Sequence, residues 1–343
     1  DSSADTIVGI DINGEKEAIA RQMGCNEFIN PKSLDQPLEE VLRAKGIEYA
    51  FDCVGNEDVL NTALKSLTPW GSLTVIGLGK RGNKVETSVA ELLEGRQVAG
   101  GYFGNMKPRE ANQRLVDMMC AGNLKIDSMI THRMRLEDIG RAFDVLKAGE
   151  TIRTTITCRA AVLWKEGSPL TVETITVDPP KKGEVRVRMV AAGVCATDAH
   201  FVWGWPTDLA LDFEGLPVVL GHEGAGVVES VGAGVTAVSA GDKVVLMWMP
   251  ECGVCDLCRN PKTNFCSVGN FYTTLYHDNR ETRMKVNGKP LLSLAGTSTF
   301  SEYAVVRQSQ VAKVNPSADL KTGCIIGCAV GTGYGSATNI ARV

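Results

Sequence analysis

Cys252-Gly-Val-Cys255-Asp-Leu-Cys258, with Cys266 eight residues further on, is the most constrained part of this sequence. Two CxxC steps share the central Cys255, and the surrounding glycine and prolines are typical of a loop. Four thiolates at this spacing can converge on one tetrahedral ion, about 2.3 Å from each sulfur, which is the geometry of a structural zinc site. Two disulfides or a chance run of cysteines are the alternatives, but CxxC spacing gives poor disulfide geometry. We therefore expect a structural zinc lobe over residues 250–267.

The overall composition is that of an ordinary globular protein with room for two domains. The chain has 343 residues, of which 44% are apolar and 22% are charged, and its formal net charge is −4. A slightly acidic chain offers no basic face to nucleic acid, and no apolar run is long enough to cross a membrane. No signal peptide is recognisable, and the odd total of 11 cysteines leaves at least one unpaired in any disulfide scheme. We therefore expect a cytoplasmic protein with neither nucleic-acid nor membrane partners.

Residues 1–103 alternate between short apolar runs and amphipathic segments. The apolar runs predict strands at Thr6–Ile10, Tyr49–Cys53, Ser72–Ile76 and Gln97–Gly101. The segments between them predict three helices, at Glu15–Met23, Pro37–Lys45 and Asp58–Leu67. Gly24 ends the first of these helices and Gly46 ends the second. Short strands separated by helices predict a parallel, doubly wound α/β sheet.

The pattern changes from helical to β after Arg153. Two amphipathic helices, near Glu110–Ala121 and Leu136–Lys147, precede the change. Alternating runs such as Glu184–Val190 and Gly226–Val231 follow it, separated by glycine and proline turns. This pattern predicts a second, mostly antiparallel β domain.

Cys195, His222 and Cys328 have the chemistry of a second metal site. Two thiolates and one imidazole occupy three positions around zinc and leave the fourth open to water or substrate. Zinc with an open position polarises an alcohol or carbonyl oxygen and lowers the pKa of a bound hydroxyl. Each residue also has a simpler explanation, as core packing for the cysteines or as a surface position for the histidine. Because long stretches of chain separate the three residues, their spacing alone leaves both interpretations open.

Four motifs resemble those of the zinc-dependent medium-chain alcohol dehydrogenase family. They are the four-cysteine lobe, Cys195-Ala-Thr-Asp-Ala-His200, Gly221-His-Glu-Gly-Ala-Gly-Val-Val-Glu-Ser-Val-Gly232 and Gly296-Thr-Ser-Thr-Phe-Ser-Glu-Tyr303. The resemblance covers essentially the whole chain. It implies a Rossmann-type nucleotide-binding domain at residues 1–103 and a GroES-like, mostly antiparallel β catalytic domain at residues 104–327. A connecting helix at residues 328–343 would lead into the nucleotide-binding domain.

The resemblance also implies roles for the metal-site residues and two zinc ions per chain. The structural zinc would be bound by Cys252, Cys255, Cys258 and Cys266, and the catalytic zinc by Cys195, His222 and Cys328, with Glu223 close behind as an occasional ligand. Asp198 would orient His222 through its second ring nitrogen. Thr197 would take the proton of the alcohol and pass it through the cofactor ribose toward His200 and solvent. Trp248 would form an aromatic wall of the substrate pocket.

An NAD site is expected in the first domain. Asp11 follows an apolar strand, where a carboxylate accepts hydrogen bonds from the ribose hydroxyls and repels the 2′-phosphate of NADP. A helix-capping aspartate is the alternative interpretation. The resemblance implies further cofactor contacts from Asn13, Lys16, Val54, Ile76, Leu78, Arg153 and Thr332. Ala196 stands where relatives often carry a basic residue that grips the pyrophosphate.

The order of the motifs departs from the family. In the family the catalytic domain comes first, whereas here the segment that resembles the family's C-terminal end runs into Cys158-Arg-Ala-Ala-Val-Leu-Trp164, which resembles its N-terminal strand. We interpret this order as a circular permutation. Neither Gly77-Leu-Gly79 nor Gly331-Thr-Gly-Tyr-Gly335 has the strand-to-helix context of a G-x-G-x-x-G loop. We therefore expect the first βα unit of the nucleotide-binding domain to be absent, and NAD binding to be weak unless another segment or a second polypeptide supplies that unit.

The favoured hypothesis is an NAD-dependent zinc oxidoreductase that reversibly converts a primary or secondary alcohol into an aldehyde or ketone. Its partner would be a small-molecule alcohol or aldehyde. The resemblance implies a homodimer joined through the nucleotide-binding sheet near Val75–Val98. The alternatives are a zinc-bearing, non-catalytic fragment or scaffold of the same fold, and a motif order that is an artefact rather than natural.

Overall fold

A computed structural model of the protein describes residues 4–80, 82–148, 154–156, 159–203, 217–269 and 281–342. The chain divides into two compact units. One consists of Asp1–Gly104 together with Tyr334–Val343, and the other is Asn105–Gly333. We refer to them as the first and the second unit.

The first unit is an α/β structure in which helices connect parallel strands. Its strands are β1 (Val8–Ile10), β2 (Glu27–Ile29), β3 (Ile47–Asp52), β4 (Leu67–Val75) and β5 (Gln97–Gly100). Its α-helices are α1 (Glu17–Gln22), α2 (Leu38–Ala44), α3 (Glu57–Lys65) and α4 (Val89–Leu93), and a π-helix spans Ser336–Ala341. The described strands pair in the orders β1-β2 and β3-β4-β5, and every pair is parallel. Helical crossovers return each strand in the same direction, which explains the parallel pairing.

Glycine ends the first two helices, as the sequence predicts. Gly24 and Gly46 have φ angles of 101° and 68°, a left-handed conformation that glycine adopts without strain. The Gly24 amide donates to the carbonyl of Arg21 at 3.0 Å, and the Gly46 amide donates to that of Arg43 at 3.1 Å. These bonds satisfy carbonyl groups that the helix itself leaves unpaired.

The boundary between α3 and β4 differs from the prediction. The helix ends at Lys65 instead of Leu67, and the strand begins at Leu67 instead of Ser72. Pro69 explains the difference, because it cannot continue a helix and disfavours helical geometry in the preceding residue. Leucines from both elements form the core of this unit, at positions Leu60, Leu64, Leu67 and Leu73.

Antiparallel strands dominate the second unit. Its strands are β6 (His132–Arg133), β7 (Thr154–Ile156), β8 (Ala160–Leu163), β9 (Thr171–Glu173), β10 (Thr176–Val177), β11 (Glu184–Gly193), β12 (Val218–Val219), β13 (Glu223–Val231), β14 (Lys243–Leu246), β15 (Met284–Val286), β16 (Lys289–Ser293), β17 (Tyr303–Arg307) and β18 (Val311–Lys313). Its helices are α5 (Pro108–Cys120), α6 (Ile139–Ala148), α7 (Ala196–Trp203), α8 (Asp256–Arg259), α9 (Leu320–Gly323) and α10 (Ala329–Gly335), the last of which crosses the division between the units.

The strands of the second unit form a six-stranded and a seven-stranded sheet. The six-stranded order is β10-β15-β16-β12-β8-β9, and the seven-stranded order is β18-β14-β13-β11-β7-β6, with β17 paired to β11. Among the described pairs, only β12–β16 and β6–β7 are parallel. Branched aliphatic side chains from both sheets, including Val162, Val187, Val244 and Leu291, pack into one core. The branched side chains suit the pleated surfaces on which they pack.

A buried ion pair also joins the two sheets of this unit. Arg283, next to β15, donates from Nε and Nη2 to the two carboxylate oxygens of Glu184 in β11, both at 2.8 Å. The two side chains are only 5% and 7% exposed. The bidentate geometry satisfies both charged groups, and removing either partner would cost about 3–5 kcal/mol.

The predicted fold class is confirmed by these two units, one a parallel α/β structure and the other mostly antiparallel β. In the part of the chain that the structure describes, each helix is too short or too polar to span a bilayer.

Candidate metal centres

Four cysteine thiols converge in the loop after β14. The sulfur atoms of Cys252, Cys255, Cys258 and Cys266 all lie within 4.8 Å of one another, and the first and third are 3.9 Å apart. Sulfurs bound to one tetrahedral zinc are about 3.8 Å apart, whereas a disulfide joins its sulfurs at about 2.0 Å. All four cysteines are free thiols. The loop therefore fits zinc, and the disulfide alternative does not apply to it.

The local structure favours the thiolate form of Cys255. Its sulfur caps the short helix α8 and accepts hydrogen bonds from the amides of Ser267 at 3.5 Å and Cys258 at 3.3 Å. Hydrogen bonds from Ser267 and Cys258 lower the pKa of Cys255 to about 5. Burial raises the pKa of Cys266 to about 12. A cation is therefore needed before all four cysteines lose their protons together.

Residues at the start of α5 form hydrogen bonds with this loop. Arg109 Nη2 donates to the backbone carbonyl of Glu251 at 2.7 Å, and the Arg109 amide donates to the Glu251 carboxylate at 2.8 Å. Lys107 Nζ donates to the carbonyl of Leu257 at 3.0 Å. Glu251 and Leu257 each stand immediately before a cysteine of the loop. These bonds therefore act on the backbone next to two of the four thiols.

Cys195, His222, Glu223 and Cys328 form a second cluster. One potential ligand atom from each residue lies within 4.8 Å of the others. Cys195 stands between β11 and α7, His222 and Glu223 lie at the start of β13, and Cys328 directly precedes α10. Two thiols, an imidazole and a carboxylate are donor types that zinc accepts, so this cluster fits zinc as well. The four residues that the sequence assigns to a catalytic metal are thus brought together.

The fully buried carboxylate of Asp198 orients this cluster. Its Oδ1 accepts from the Gly221 amide at 3.0 Å and lies 3.1 Å from His222 Nδ1, and its Oδ2 accepts from the Cys195 amide at 3.2 Å. Because a carboxylate only accepts, His222 Nδ1 carries the hydrogen, and Nε2 is the ring atom that would bind a metal. Burial opposes the charged form of His222, but Asp198 and Cys195 outweigh it and raise its pKa well above the ordinary value. A bound cation takes the place of the second proton.

Glu223 has room beside the other ligands because its strand partner is a glycine. The antiparallel register sets Gly193 of β11 opposite Glu223 of β13. A Cβ atom on Gly193 would lie 2.2 Å from Glu223 Oε2. A side chain at position 193 would therefore displace the carboxylate from the cluster.

Thr197 and His200 lie three residues apart on α7, a separation that places two side chains on one helix face. Cys195 Sγ is 3.7 Å from Thr197 Oγ1, so the hydroxyl lies beside one of the clustered thiols. Burial lowers the pKa of His200, and the nearby Cys195 only partly offsets this effect. His200 is therefore neutral at pH 7 and able to accept a proton. The relay between the two residues stays a prediction.

Trp248 follows β14 and is buried, with 8% of its surface exposed. The flanking Met247 and Met249 are buried as well. Burial fits core packing as well as a pocket wall, so the predicted substrate contact of Trp248 stays a prediction.

Asp11, Asn13 and Lys16 form a hydrogen-bonded group after β1. Asp11 accepts from Lys16 Nζ at 3.0 Å and from the Asn13 amide at 2.8 Å. The side chain of Asn13 caps the following 3-10 turn by accepting from the Glu15 amide at 3.0 Å. Asn13 therefore caps the 3-10 turn, and the predicted contact of Asp11 with the cofactor ribose stays a prediction.

The apolar residues predicted to contact the cofactor lie in adjacent loops. Val54 follows β3, and Ile76 and Leu78 follow β4, so all three stand at the carboxyl ends of neighbouring parallel strands. The two loops touch closely, because a Cβ atom on Gly77 would lie 2.2 Å from the amide nitrogen of Gly55. The carboxyl end of a parallel sheet is where nucleotides bind in such folds.

The remaining cofactor predictions lie elsewhere. Thr332 is in α10, one turn after Cys328, to whose carbonyl its amide donates at 2.8 Å. Arg153 lies outside the described residues. In the described chain, Gly77–Gly79 does not lead into a helix and Gly331–Gly335 lies inside one. Neither glycine cluster has the form of a phosphate-binding loop, as the sequence predicts.

Sequence reasoning missed the contacts of Arg109 and of Thr299. Arg109 acts on Glu251 across 142 residues, and no pattern in the sequence connects the two positions. Thr299 belongs to the motif Gly296–Tyr303, for which the resemblance supplied no role. The only available signal was a run of hydroxyl side chains, and these prove to be buried.

Two family models match this chain. The model described as "Alcohol dehydrogenase GroES-like domain" matches residues 181–316. The model described as "Zinc-binding dehydrogenase" matches residues 2–120. Together they account for most of the sequence.

Several solved structures are similar in sequence. An alcohol dehydrogenase zinc-binding domain protein from Burkholderia ambifaria is 34% identical, with a TM-score of 0.46 over 55% of this chain and 49% of that one. Benzyl alcohol dehydrogenase from Acinetobacter calcoaceticus is 29% identical, with a TM-score of 0.45 over 54% and 48%. A cobalt- and zinc-bound thermostable alcohol dehydrogenase from Pyrobaculum aerophilum is 30% identical, with a TM-score of 0.37 over 49% and 44%.

The chain therefore spans about half the length of these structures. The family assignment rests on the two family models, which agree with the parallel α/β unit, the antiparallel β unit and the two clusters of zinc-type ligands. The chain belongs to the zinc-dependent medium-chain alcohol dehydrogenase family.

Proposed function

We propose that this protein reversibly oxidises a primary or secondary alcohol to an aldehyde or ketone with NAD. A catalytic zinc would be held by Cys195, His222 and Cys328, with Glu223 close behind. A structural zinc would be held by the four cysteines between positions 252 and 266. The observation that carries the proposal is the approach of four donor atoms to within 4.8 Å of one another from distant segments of the chain.

The side chains around the second cluster fit this chemistry. A bound zinc would polarise the alcohol oxygen and lower the pKa of its hydroxyl, and a bound NAD would accept the hydride. Asp198 keeps the Nε2 atom of His222 directed at the metal, through the bond at Nδ1. Thr197, whose hydroxyl lies 3.7 Å from Cys195 Sγ, would accept the proton that the alcohol releases while its own hydroxyl proton passes through the cofactor ribose toward His200. His200 would deliver that proton to solvent. Its lowered pKa keeps the imidazole neutral at pH 7, so that it can accept a proton.

The choice of NAD over NADP is proposed from Asp11. Its carboxylate would accept hydrogen bonds from the ribose hydroxyls, and a 2′-phosphate would meet a negative charge there. The ion pair with Lys16, at 3.0 Å, holds the carboxylate in place.

A non-catalytic zinc scaffold is the weaker hypothesis. A scaffold would need only the four-cysteine loop, whose four thiols would fill a tetrahedral site and leave no position open for substrate. The second cluster combines mixed ligands with a hydroxyl and a neutral histidine on one helix, α7, and this combination favours catalysis.

Metal analysis together with alcohol-dependent NADH formation tests the proposal. Cys195→Ser should lose one zinc per chain and all alcohol oxidation, because a neutral serine hydroxyl is a poor zinc ligand. Cys120→Ser is the matched control, since Cys120 is exposed and belongs to neither cluster, and it should keep both zinc ions and full activity. Full zinc and activity in Cys195→Ser would disprove the proposal.

A further inference from the structure

We propose that Thr299 is the positioning residue that shapes the turn carrying His222 and Glu223. The inference rests on the proposed function, because it takes these two residues to face the catalytic zinc. Thr299 lies in the segment between β16 and β17, is 2% exposed and belongs to neither ligand cluster.

The backbone of the ligand-bearing turn is bonded to Thr299 on both sides of His222. The Thr299 amide donates to the carbonyl of Gly221 at 3.0 Å. Its hydroxyl donates to the carbonyl of Glu223 at 3.2 Å. One residue thus spans the turn and fixes the direction in which the histidine and the glutamate leave the backbone.

The two glycines of the turn leave the space that the Thr299 side chain fills. A Cβ atom on Gly221 would lie 2.4 Å from Thr299 Oγ1, and one on Gly224 would lie 2.5 Å from Thr299 Cγ2. Gly221 also has a φ angle of 93°, which L side chains rarely adopt. The hydroxyl therefore packs on one glycine and the methyl on the other. Threonine supplies both groups, whereas serine lacks the methyl and valine lacks the hydroxyl.

Neighbouring hydroxyl groups do not duplicate this role. Thr297 Oγ1 lies 3.1 Å from the Gly221 carbonyl, but this contact is on the side of the turn before His222. Ser298 Oγ donates further back, to the Val219 carbonyl at 3.1 Å. The side-chain bond of Thr299 reaches past His222 to Glu223. Asp198 fixes the imidazole ring and Thr299 fixes the backbone beneath it.

Cobalt-substituted protein tests this inference, because cobalt reports ligand geometry through its visible absorption. In Thr299→Val, the metal of the second cluster should be lost to a chelator about 10- to 100-fold faster than in the parent protein, the range typical of removing an outer-shell support. Its visible spectrum should also shift, and Thr299→Ser should restore most of both properties. The metal of the four-cysteine loop should leave at the parent rate in every variant, which verifies that the variant is folded.

Ser301→Ala is the matched control. Ser301 is buried in the same segment, but its hydroxyl lies 2.7 Å from the carbonyl oxygen of Ser298 and 3.0 Å from that of Tyr303, and it can donate to either, away from the ligand-bearing turn. It should leave the spectrum and the rate of metal loss unchanged. Equal acceleration in Ser301→Ala and Thr299→Val would overturn the inference, because it would indicate general loosening. Parent behaviour in Thr299→Val would overturn it too.

A compensating pair of substitutions provides a second test. Gly224→Ala places a methyl 2.5 Å from Thr299 Cγ2 and 2.6 Å from Met189 Cε, and only the methionine is flexible enough to move away. Thr299→Ser removes the closer of the two Thr299 atoms and leaves Cβ at 2.8 Å, so it should partly slow metal loss in the Gly224→Ala background. An unchanged or faster loss of metal in the double variant would contradict the inference.

Failure of the proposed function would give a different result. In that case Cys195→Ser would bind as much metal as the parent protein.

Discussion

Asp198 illustrates how much a single residue organises in this protein. Its buried carboxylate accepts from the amides of Cys195 and Gly221 and from the ring of His222. These three donors belong to the two segments that supply most of the second cluster. The three hydrogen bonds offset the cost of desolvating this carboxylate, whereas each donor left without it would cost about 1–3 kcal/mol. The Asp198 side chain thus fixes the backbone at Cys195 and the ring orientation of His222.

Substitution of a single cysteine tests whether the four-cysteine loop binds zinc. Cys255→Ser should remove the structural zinc, because it takes away a ligand whose lowered pKa favours the metal-binding thiolate. Zinc per chain should fall by one, and thermal stability should fall with it. Cys120→Ser serves as the control for loss of a thiol outside the clusters. Full metal content and unchanged stability in Cys255→Ser would show that the loop binds no zinc.

Substitutions at Thr197 and His200 test the proposed proton relay. Thr197→Ala should keep zinc but lower kcat by about 10²-fold, the smallest effect expected from losing a group that transfers a proton. Thr197→Ser, which retains the hydroxyl, should recover most of kcat. His200→Gln should have a milder effect that added imidazole buffer partly reverses, because the proposed relay passes from His200 to solvent. Unchanged turnover in Thr197→Ala would exclude its role.

At the scale of elements, we predict that the start of α5 stabilises the four-cysteine loop, which is the metal-binding loop of residues 250–269. Arg109→Met removes the charged donor to the Glu251 carbonyl, a bond worth about 1.5–3 kcal/mol. The loop metal should consequently be lost to a chelator about 10- to 100-fold faster. Arg141→Met, on the exposed side of α6, is the control for loss of an arginine. Equal rates in the two variants would show that α5 does not support the loop.

Elements also show what the sequence could and could not predict. The four-cysteine loop was predictable because its ligands lie within one short segment, and the helix ends at Gly24 and Gly46 were predictable because glycine acts locally. The second cluster joins segments far apart in the chain, so its members could be grouped only through resemblance to a family. The bond between Arg109 and Glu251 spans 142 residues and depends on tertiary packing, which leaves no periodic trace in the sequence.

At the scale of the whole molecule, the two clusters lie in a different unit from most of the residues predicted to contact the cofactor. All residues of both clusters belong to Asn105–Gly333, whereas Asp11, Val54 and Leu78 belong to the other unit. The metal-binding loop contributes little to a hydrophobic core, since several of its apolar side chains are at least 40% exposed, namely Val254, Leu257, Phe265 and Val268. Metal binding is therefore expected to replace hydrophobic packing as the main source of order in this loop.

Metal removal should for this reason loosen one unit and spare the other. After treatment with excess chelator, amides of residues 250–269 should exchange hydrogen more than about tenfold faster, since each 1.4 kcal/mol of lost local stability is a factor of ten. Amides of β4 should keep their rates, because β4 is paired on both sides and packs on the leucine core of the first unit. Hydrogen exchange followed by mass spectrometry distinguishes the two regions, and added zinc should restore the slow exchange. If β4 lost as much protection as the loop, the order of the first unit would depend on metal, and metal binding could not be assigned to the second unit alone.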